Sequence, residues 1–297
     1  MSNNKNIPFT GTGTAIITPF KDGKVDYFAY TSLLERQIAA GVDAVIVCGT
    51  TGESSTLTDE EHRCVIEHAV SVVAGRIPVI AGTGSNDTDY AVSLSKSACA
   101  SGADGLLVVT PYYNKTNDAG LVKHYYAIAD AVDKPIILYN VPSRTGLNIS
   151  LKAYKAMAEH PNIVATKEAS GDISAIIRIL DTCGDKLSVY SGNDDQALPI
   201  ISCGGIGVIS TVGNVIPAEF SDLIHKALAG DFATANALRR KYAPLMDAMF
   251  TTVNPIPVKA ACSVLGLCGP EIRLPLVPME GEELEKLRGV MKAAELI

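Results

Sequence analysis

Short apolar runs, each followed by a stretch with helical periodicity, recur along the chain about every 20 to 35 residues. They are Thr14-Ala15-Ile16-Ile17-Thr18, Ala44-Val45-Ile46-Val47-Cys48, Pro78-Val79-Ile80-Ala81, Leu106-Leu107-Val108-Val109, Pro135-Ile136-Ile137-Leu138-Tyr139, Asn162-Ile163-Val164-Ala165-Thr166-Lys167-Glu168-Ala169-Ser170, Leu187-Ser188-Val189-Tyr190 and Ile206-Gly207-Val208-Ile209-Ser210. Eight strand–helix units fit an α/β chain folded as a (β/α)8 (TIM) barrel better than an open doubly wound sheet. Such barrels carry their chemistry at the C-terminal ends of the strands. Residues 1–230 are read as the barrel. Asp231 to Phe250 and Pro257 to Leu265 then have helical patterns, separated by the stiff Asn254-Pro255-Ile256-Pro257, so residues 231–297 are read as a C-terminal helical extension.

The sixth run differs from the others in carrying a lysine. Strand alternation predicts that Ile163, Ala165, Lys167 and Ala169 share one face, so Lys167 points where small or apolar neighbours point. A strand lysine facing solvent is the ordinary alternative. A parallel sheet covered by helices on both sides leaves little room for it, because an ammonium is poorly tolerated there. Burial without a carboxylate on the same face favours the neutral amine, a nucleophile towards carbonyl carbon. The lysine therefore points to Schiff-base chemistry.

The ends of the other strands supply matching groups. The second closes in Gly49-Thr50-Thr51-Gly52-Glu53-Ser54, whose hydroxyls and close-set backbone N–H groups suit a small carboxylate, although a plain turn with a helix cap has the same composition. The fourth closes in Thr110-Pro111-Tyr112-Tyr113-Asn114 and the fifth in Tyr139-Asn140-Val141-Pro142-Ser143-Arg144-Thr145-Gly146. A tyrosine held in a hydrogen-bonded chain relays protons, and an arginine grips a carboxylate with two parallel bonds. The seventh ends in the acidic Ser191-Gly192-Asn193-Asp194-Asp195, which argues against the phosphate site many barrels build at strands seven and eight. Unphosphorylated carboxylates are the expected substrates. Gly11-Thr12-Gly13 precedes its strand instead of following it, so it is no dinucleotide fingerprint. Gly82-Thr83-Gly84-Ser85-Asn86 lacks the third glycine and reads as a turn, and Ser93-Leu94-Ser95-Lys96 reads as a solvated helix face.

Bulk composition narrows the picture further. A net charge of -7 opposes nucleic-acid binding. No apolar run approaches the roughly 18 residues of a membrane span, and the polar start Met-Ser-Asn-Asn-Lys-Asn-Ile lacks a signal-peptide core, so a cytoplasmic protein is expected. The 7 cysteines have no Cys-x-x-Cys pair and read as reduced core residues; the histidines lack zinc-site spacing, and no metal is expected.

Together the strand-end motifs resemble those of the dihydrodipicolinate synthases, a branch of the pyruvate-dependent N-acetylneuraminate lyase/aldolase family, over nearly the whole chain. Gly49-Thr50-Thr51-Gly52-Glu53 and the Lys167 strand are shared widely in that family. Thr110-Pro111-Tyr112-Tyr113-Asn114, the Tyr139 to Gly146 stretch and Asn254-Pro255-Ile256-Pro257-Val258-Lys259 are more particular to the synthases. The resemblance implies Schiff-base condensation of pyruvate with L-aspartate 4-semialdehyde, the first committed step of diaminopimelate and lysine biosynthesis, with no cofactor. It implies that Lys167 forms the imine, Thr51 holds the pyruvate carboxylate, and Gly192 and Ile209 line the pocket. Tyr139 would donate and accept protons, with Thr50 linking it to Tyr113 from a neighbouring subunit of a homotetramer. Arg144 would bind the carboxylate of the semialdehyde. Ser54, Ser55, His62, Asn86 and Tyr112 match a lysine effector site in which Asp59 and Tyr90 depart from the sensitive pattern. The alternative is another class I pyruvate aldolase or lyase, such as N-acetylneuraminate lyase or a keto-deoxy sugar-acid aldolase, in which a polyhydroxylated substrate would not call for Arg144. A catalytically silent acid sensor is the rival of another class, and the intact Lys167, Tyr139 and Thr50 count against it.

Overall fold

The computed structural model describes residues 5–297, so part of the polar start considered above lies outside the described residues. Eight parallel strands close into a barrel: β1 (Gly11–Ala15), β2 (Ala44–Val47), β3 (Val79–Gly82), β4 (Gly105–Val109), β5 (Ile136–Asn140), β6 (Ile163–Glu168), β7 (Ser188–Ser191) and β8 (Gly207–Ser210). Each pairs with its sequence neighbour, and β1 closes the ring by pairing with both β2 and β8. The helices between strands are α1 (Tyr27–Ala39), α2 (Asp59–Val73), α3 (Thr88–Ala100), α4 (Asp118–Ala129), α5 (Leu151–Met157), α6 (Ile173–Cys183) and α7 (Ala197–Ser202), and α8 (Pro217–Leu228) follows β8. Side-chain caps start most of them; α2 opens on a full capping box between Thr58 and Glu61.

Strand alternation sorts the core into two shells. Ala15, Ala44, Ile46, Ile80, Leu107, Ile137, Tyr139, Ala165, Tyr190 and Ile209 fill the barrel, and Phe9 stacks on Tyr190 with centroids 4.5 Å apart. A larger cluster, including Val45, Val108, Leu138 and Val189, lies between strands and helices.

Two strand readings need correction. The first strand is Gly11–Ala15, not Thr14 to Thr18. Its interior position Gly13 is kept bare because an added Cβ would stand 2.5 Å from Ile46 Cδ1 and 2.6 Å from the Phe9 ring, while Thr12 and Thr14 are fully buried despite their polarity. The hydrophobic run that suggested a strand lies just past it. In β6 the register against β5 slips between Ile136 and Ile137, a bulge at which Val164 and Ala165 both join the barrel interior while Ile163 packs on the helical side. Lys167 keeps its expected inward face, and Ile163 does not share it.

After the barrel come α9 (Phe232–Ala248), α10 (Ile256–Val264) and α11 (Gly281–Ala293). The first two agree with the expected helices within two residues; the break between them contains a cis Asn254–Pro255 bond. All seven cysteines are free, but Cys64 and Cys203 are exposed, contrary to the reading of them as core residues: Cys64 falls on the outward face of α2 and Cys203 just past the end of α7. Ser93 and Lys96 are exposed on α3, as a solvated face requires. No helix among the described residues is long and apolar enough to cross a membrane.

Candidate active site

Registry between β5 and β6 sets Tyr139 directly beside Lys167. Both point into the barrel mouth, 7% and 6% exposed, and Lys167 Nζ stands 4.5 Å from the Tyr139 ring centroid. One residue further on, alternation turns Asn140 and Glu168 to the opposite side, where Asn140 Nδ2 donates to Glu168 Oε1 at 2.8 Å. Ser170 Oγ donates to Glu168 Oε2 at 2.8 Å and Tyr154 donates its hydroxyl to the same carboxyl group. Burial raises the Glu168 pKa and these hydrogen bonds oppose the rise. A buried network thus clamps the two strands immediately behind the inward-facing pair.

The neighbouring strand ends complete the wall. Gly192 follows β7 and donates its N–H to Glu168 O at 2.6 Å; a Cβ there would lie 2.7 Å from that of Ala169. Only glycine lets the backbone approach the end of β6 so closely. Ile209 of β8 is buried in the barrel interior. Asp194, fully enclosed, accepts the N–H groups of Thr211 at 3.1 Å and Val212 at 2.8 Å. Burial pushes its pKa up to about 6, against the pull of those donors, Ser210 and the Lys167 charge. That carboxyl pins the loop after β8 to the loop after β7.

The turn after β2 is flanked by two non-glycine residues in left-handed backbone, Cys48 at φ 54° and Glu53 at φ 55°. Such conformations cost about 1–3 kcal/mol each and persist where the surroundings enforce them. Glu53 shows the enforcement: its Oε1 takes Lys259 Nζ of α10 at 2.5 Å and its Oε2 takes the Arg273 N–H at 3.1 Å, with both charged side chains almost fully enclosed. Gly52, Glu53 and Ser54 use their N–H groups inside the turn. Among the described residues, those of Thr50 and Thr51 have no protein acceptor, which narrows the proposed carboxylate receptor to that pair. Thr51 is buried, and its Oγ1 accepts from Asn254 Nδ2 at 3.0 Å; Arg144 Nη2 in turn donates to Asn254 O at 3.2 Å. Thr51 and Arg144, read separately from sequence, therefore meet through one residue of the stiff break.

Thr50 and Arg144 line one cleft of about 360 Å³ together with Ser54, Ser55, His62, Tyr90 and Tyr112. A larger cavity of about 660 Å³ lies by the N-terminal ends of β7 and β8, away from Lys167. His62 donates Nε2–H to Gly82 O at 2.8 Å, and burial lowers its pKa. Asn86 is engaged through its backbone carbonyl by Asn114 Nδ2 at 2.9 Å. Asp59 does not stand ready for a ligand cation as its charge alone suggests: Arg63 Nε and Nη2 donate to it at 2.9 and 3.0 Å, and the Tyr90 hydroxyl at 3.0 Å. Tyr113 is 91% exposed with φ 68°, so this chain does not bring it to Tyr139 or Thr50. Asn254, Lys259, Glu168 and Asp194 were not singled out for roles in the sequence. The first two lie in the quoted Asn254 to Lys259 motif, the only local signal of them.

Residues 8–294 match the dihydrodipicolinate synthetase family. A 4-hydroxy-tetrahydrodipicolinate synthase from Thermoanaerobacter sp. (strain X514) is 49% identical over 290 residues, covering 97% of this chain and 98% of that one. A solved dihydrodipicolinate synthase from Aquifex aeolicus is 49% identical with a TM-score of 0.95, covering 97% and 99%. A chloride-inhibited dihydrodipicolinate synthase from Acinetobacter baumannii, solved with pyruvate, is 44% identical with a TM-score of 0.95, covering 97% and 99%.

Proposed function

The chain belongs to the dihydrodipicolinate synthetase family, and from that premise we propose how its strand-end residues divide the work. The reaction is the Schiff-base condensation of pyruvate with L-aspartate 4-semialdehyde to 4-hydroxy-tetrahydrodipicolinate, the activity for which its relatives are named. The Lys167 amine attacks the pyruvate carbonyl carbon and water leaves, giving an imine whose methyl protons are acidified. Loss of one of them yields an enamine, which attacks the aldehyde carbon of the second substrate. The amine of that substrate then adds to the imine carbon, the ring closes and Lys167 departs. Tyr139, its ring against Lys167 Nζ, donates and accepts the protons of these steps. Thr51 and the adjacent N–H groups hold the pyruvate carboxylate, with Gly192 and Ile209 bounding the pocket. The observation that carries this reading is the buried Lys167–Tyr139 pair at the mouth of the barrel.

Arg144 holds the semialdehyde carboxylate from the cleft wall. Assayed with both substrates and a dihydrodipicolinate reductase as readout, Arg144→Ala is expected to raise KM for the semialdehyde about ten- to a hundredfold, the value of one charge-assisted bond, and that for pyruvate much less. Equal losses for both substrates would mark the arginine as structural.

The protein works in the cytoplasm as a homotetramer, a dimer of dimers, in which Tyr113 crosses a subunit boundary and joins Thr50 and Tyr139 in the proton relay. An aromatic side chain left 91% exposed on a left-handed backbone supports this placement. Mixing inactive Tyr113→Phe with inactive Lys167→Ala protein should restore activity once subunits exchange, because a hybrid interface then holds one site with both native residues. Hybrids confirmed by mass that stay inactive would place Tyr113 in its own chain's site.

Ser54, Ser55, His62, Asn86 and Tyr112 are proposed to form a weak lysine effector site. Asp59 is already matched by Arg63, and Tyr90 offers no charge, so neither position gives a free carboxylate to the α-ammonium of a bound lysine. Half-inhibition by L-lysine is expected above roughly 0.5 mM. Initial rates titrated with lysine check this, and tight inhibition would show that the site needs no carboxylate there.

A further inference from the structure

Asn254 touches the groups assigned to both substrates. Its side-chain Nδ2 donates to Thr51 Oγ1 at 3.0 Å, its main-chain carbonyl accepts from Arg144 Nη2 at 3.2 Å, and its Oδ1 is buried without a hydrogen-bond partner among the described residues. An orphaned amide oxygen is unfavourable, so this side chain is not placed for the stability of the fold alone. Its effect on Thr51 is directional. A hydroxyl has one proton and two lone pairs; once Asn254 donates to the oxygen, the proton is left to be given elsewhere. An ionised carboxylate accepts hydrogen bonds and donates none, so it needs that proton pointed at it.

We propose that Asn254 is a positioning residue for pyruvate, fixing Thr51 as a hydrogen-bond donor to the substrate carboxylate, while its backbone carbonyl independently steadies Arg144. This rests on the assignment of Thr51 to the pyruvate carboxylate. Because the two contacts come from different parts of one residue, they separate experimentally. Asn254→Ala removes the amide, and its orphaned oxygen with it, and keeps the carbonyl that Arg144 uses.

Steady-state kinetics with both substrates, run on Asn254→Ala, Thr51→Val and the double variant, test the proposal. Asn254→Ala is expected to raise KM for pyruvate about three- to tenfold, the range of one hydrogen bond, and to leave KM for the semialdehyde within about twofold. In the Thr51→Val background the same change is expected to add nothing, since the group it acts through is gone. A second variant, Asn254→Asp, whose ionised carboxylate presents only acceptors, would accept the Thr51 O–H hydrogen bond, turn it away from the substrate and weaken pyruvate binding more than alanine does. A merely structural residue would raise both KM values together, or act undiminished in the Thr51→Val background, and either result overturns the proposal. If Thr51→Val leaves KM for pyruvate unchanged, the assignment of Thr51 itself fails; if only Asn254→Ala leaves it unchanged, that assignment stands and the positioning role falls.

Discussion

Lys259→Met is expected to destabilise the protein by about 3–5 kcal/mol, the usual effect of leaving one charge of a buried pair unmatched. The side chains of Lys259 and Glu53 are 2% and 1% exposed, and Nζ lies 2.5 Å from Oε1. Lys259 also stands 4.2 Å from the Phe20 ring centroid, with Arg273 at 4.3 Å from the same ring. Burial lowers the Lys259 pKa, and the Glu53 charge counteracts that effect, so each charge depends on the other for its place in the interior. With methionine at 259, Glu53 would keep the Arg273 N–H but lose its cation. Glu53 ends the Thr50–Thr51 turn in left-handed backbone, so activity should fall along with stability. Thermal unfolding should shift down by on the order of 10 °C. The double variant Glu53→Gln/Lys259→Met, which removes both charges, should recover much of the loss. A single variant that melts with the parent protein would mean the pair contributes no anchoring.

What could be read from the sequence follows from how far each feature depends on distant residues. Seven of the eight strands are visible as apolar runs because both faces of a barrel strand are covered, and Lys167 stands out as the cation in such a run. The first strand escaped that reading because crowding by Asp43 keeps Gly11 bare, crowding by Ile46 and Phe9 keeps Gly13 bare, and the residues between and after them, Thr12 and Thr14, are polar yet buried. The β6 bulge left no local trace, yet it decides that Val164 turns inward and Ile163 outward. The link between Asn254 and Thr51 spans 203 residues and that between Lys259 and Glu53 spans 206. Periodicity within a window of residues carries no information on such pairs, so the motif around Asn254 was recognisable as a pattern while its contacts were not. Tyr113 is a different case: a single chain leaves it 91% exposed, and no residue near it in sequence accounts for that.

Imine formation on Lys167 is the step on which the whole account depends. Among the lysines of the described residues, Lys167 alone is placed in the barrel mouth beside Tyr139; the other well-buried one, Lys259, is held by Glu53. Borohydride reduces an imine to a stable secondary amine and thereby fixes an adduct that is otherwise reversible. Incubation with pyruvate and borohydride should abolish activity completely, whereas borohydride without pyruvate should leave it largely intact. Peptide mapping by mass spectrometry of the inactivated protein is the direct test. A single reduced pyruvate adduct on Lys167, absent from Lys167→Ala protein, is the predicted result; an adduct on any other lysine, or inactivation with none, would contradict it.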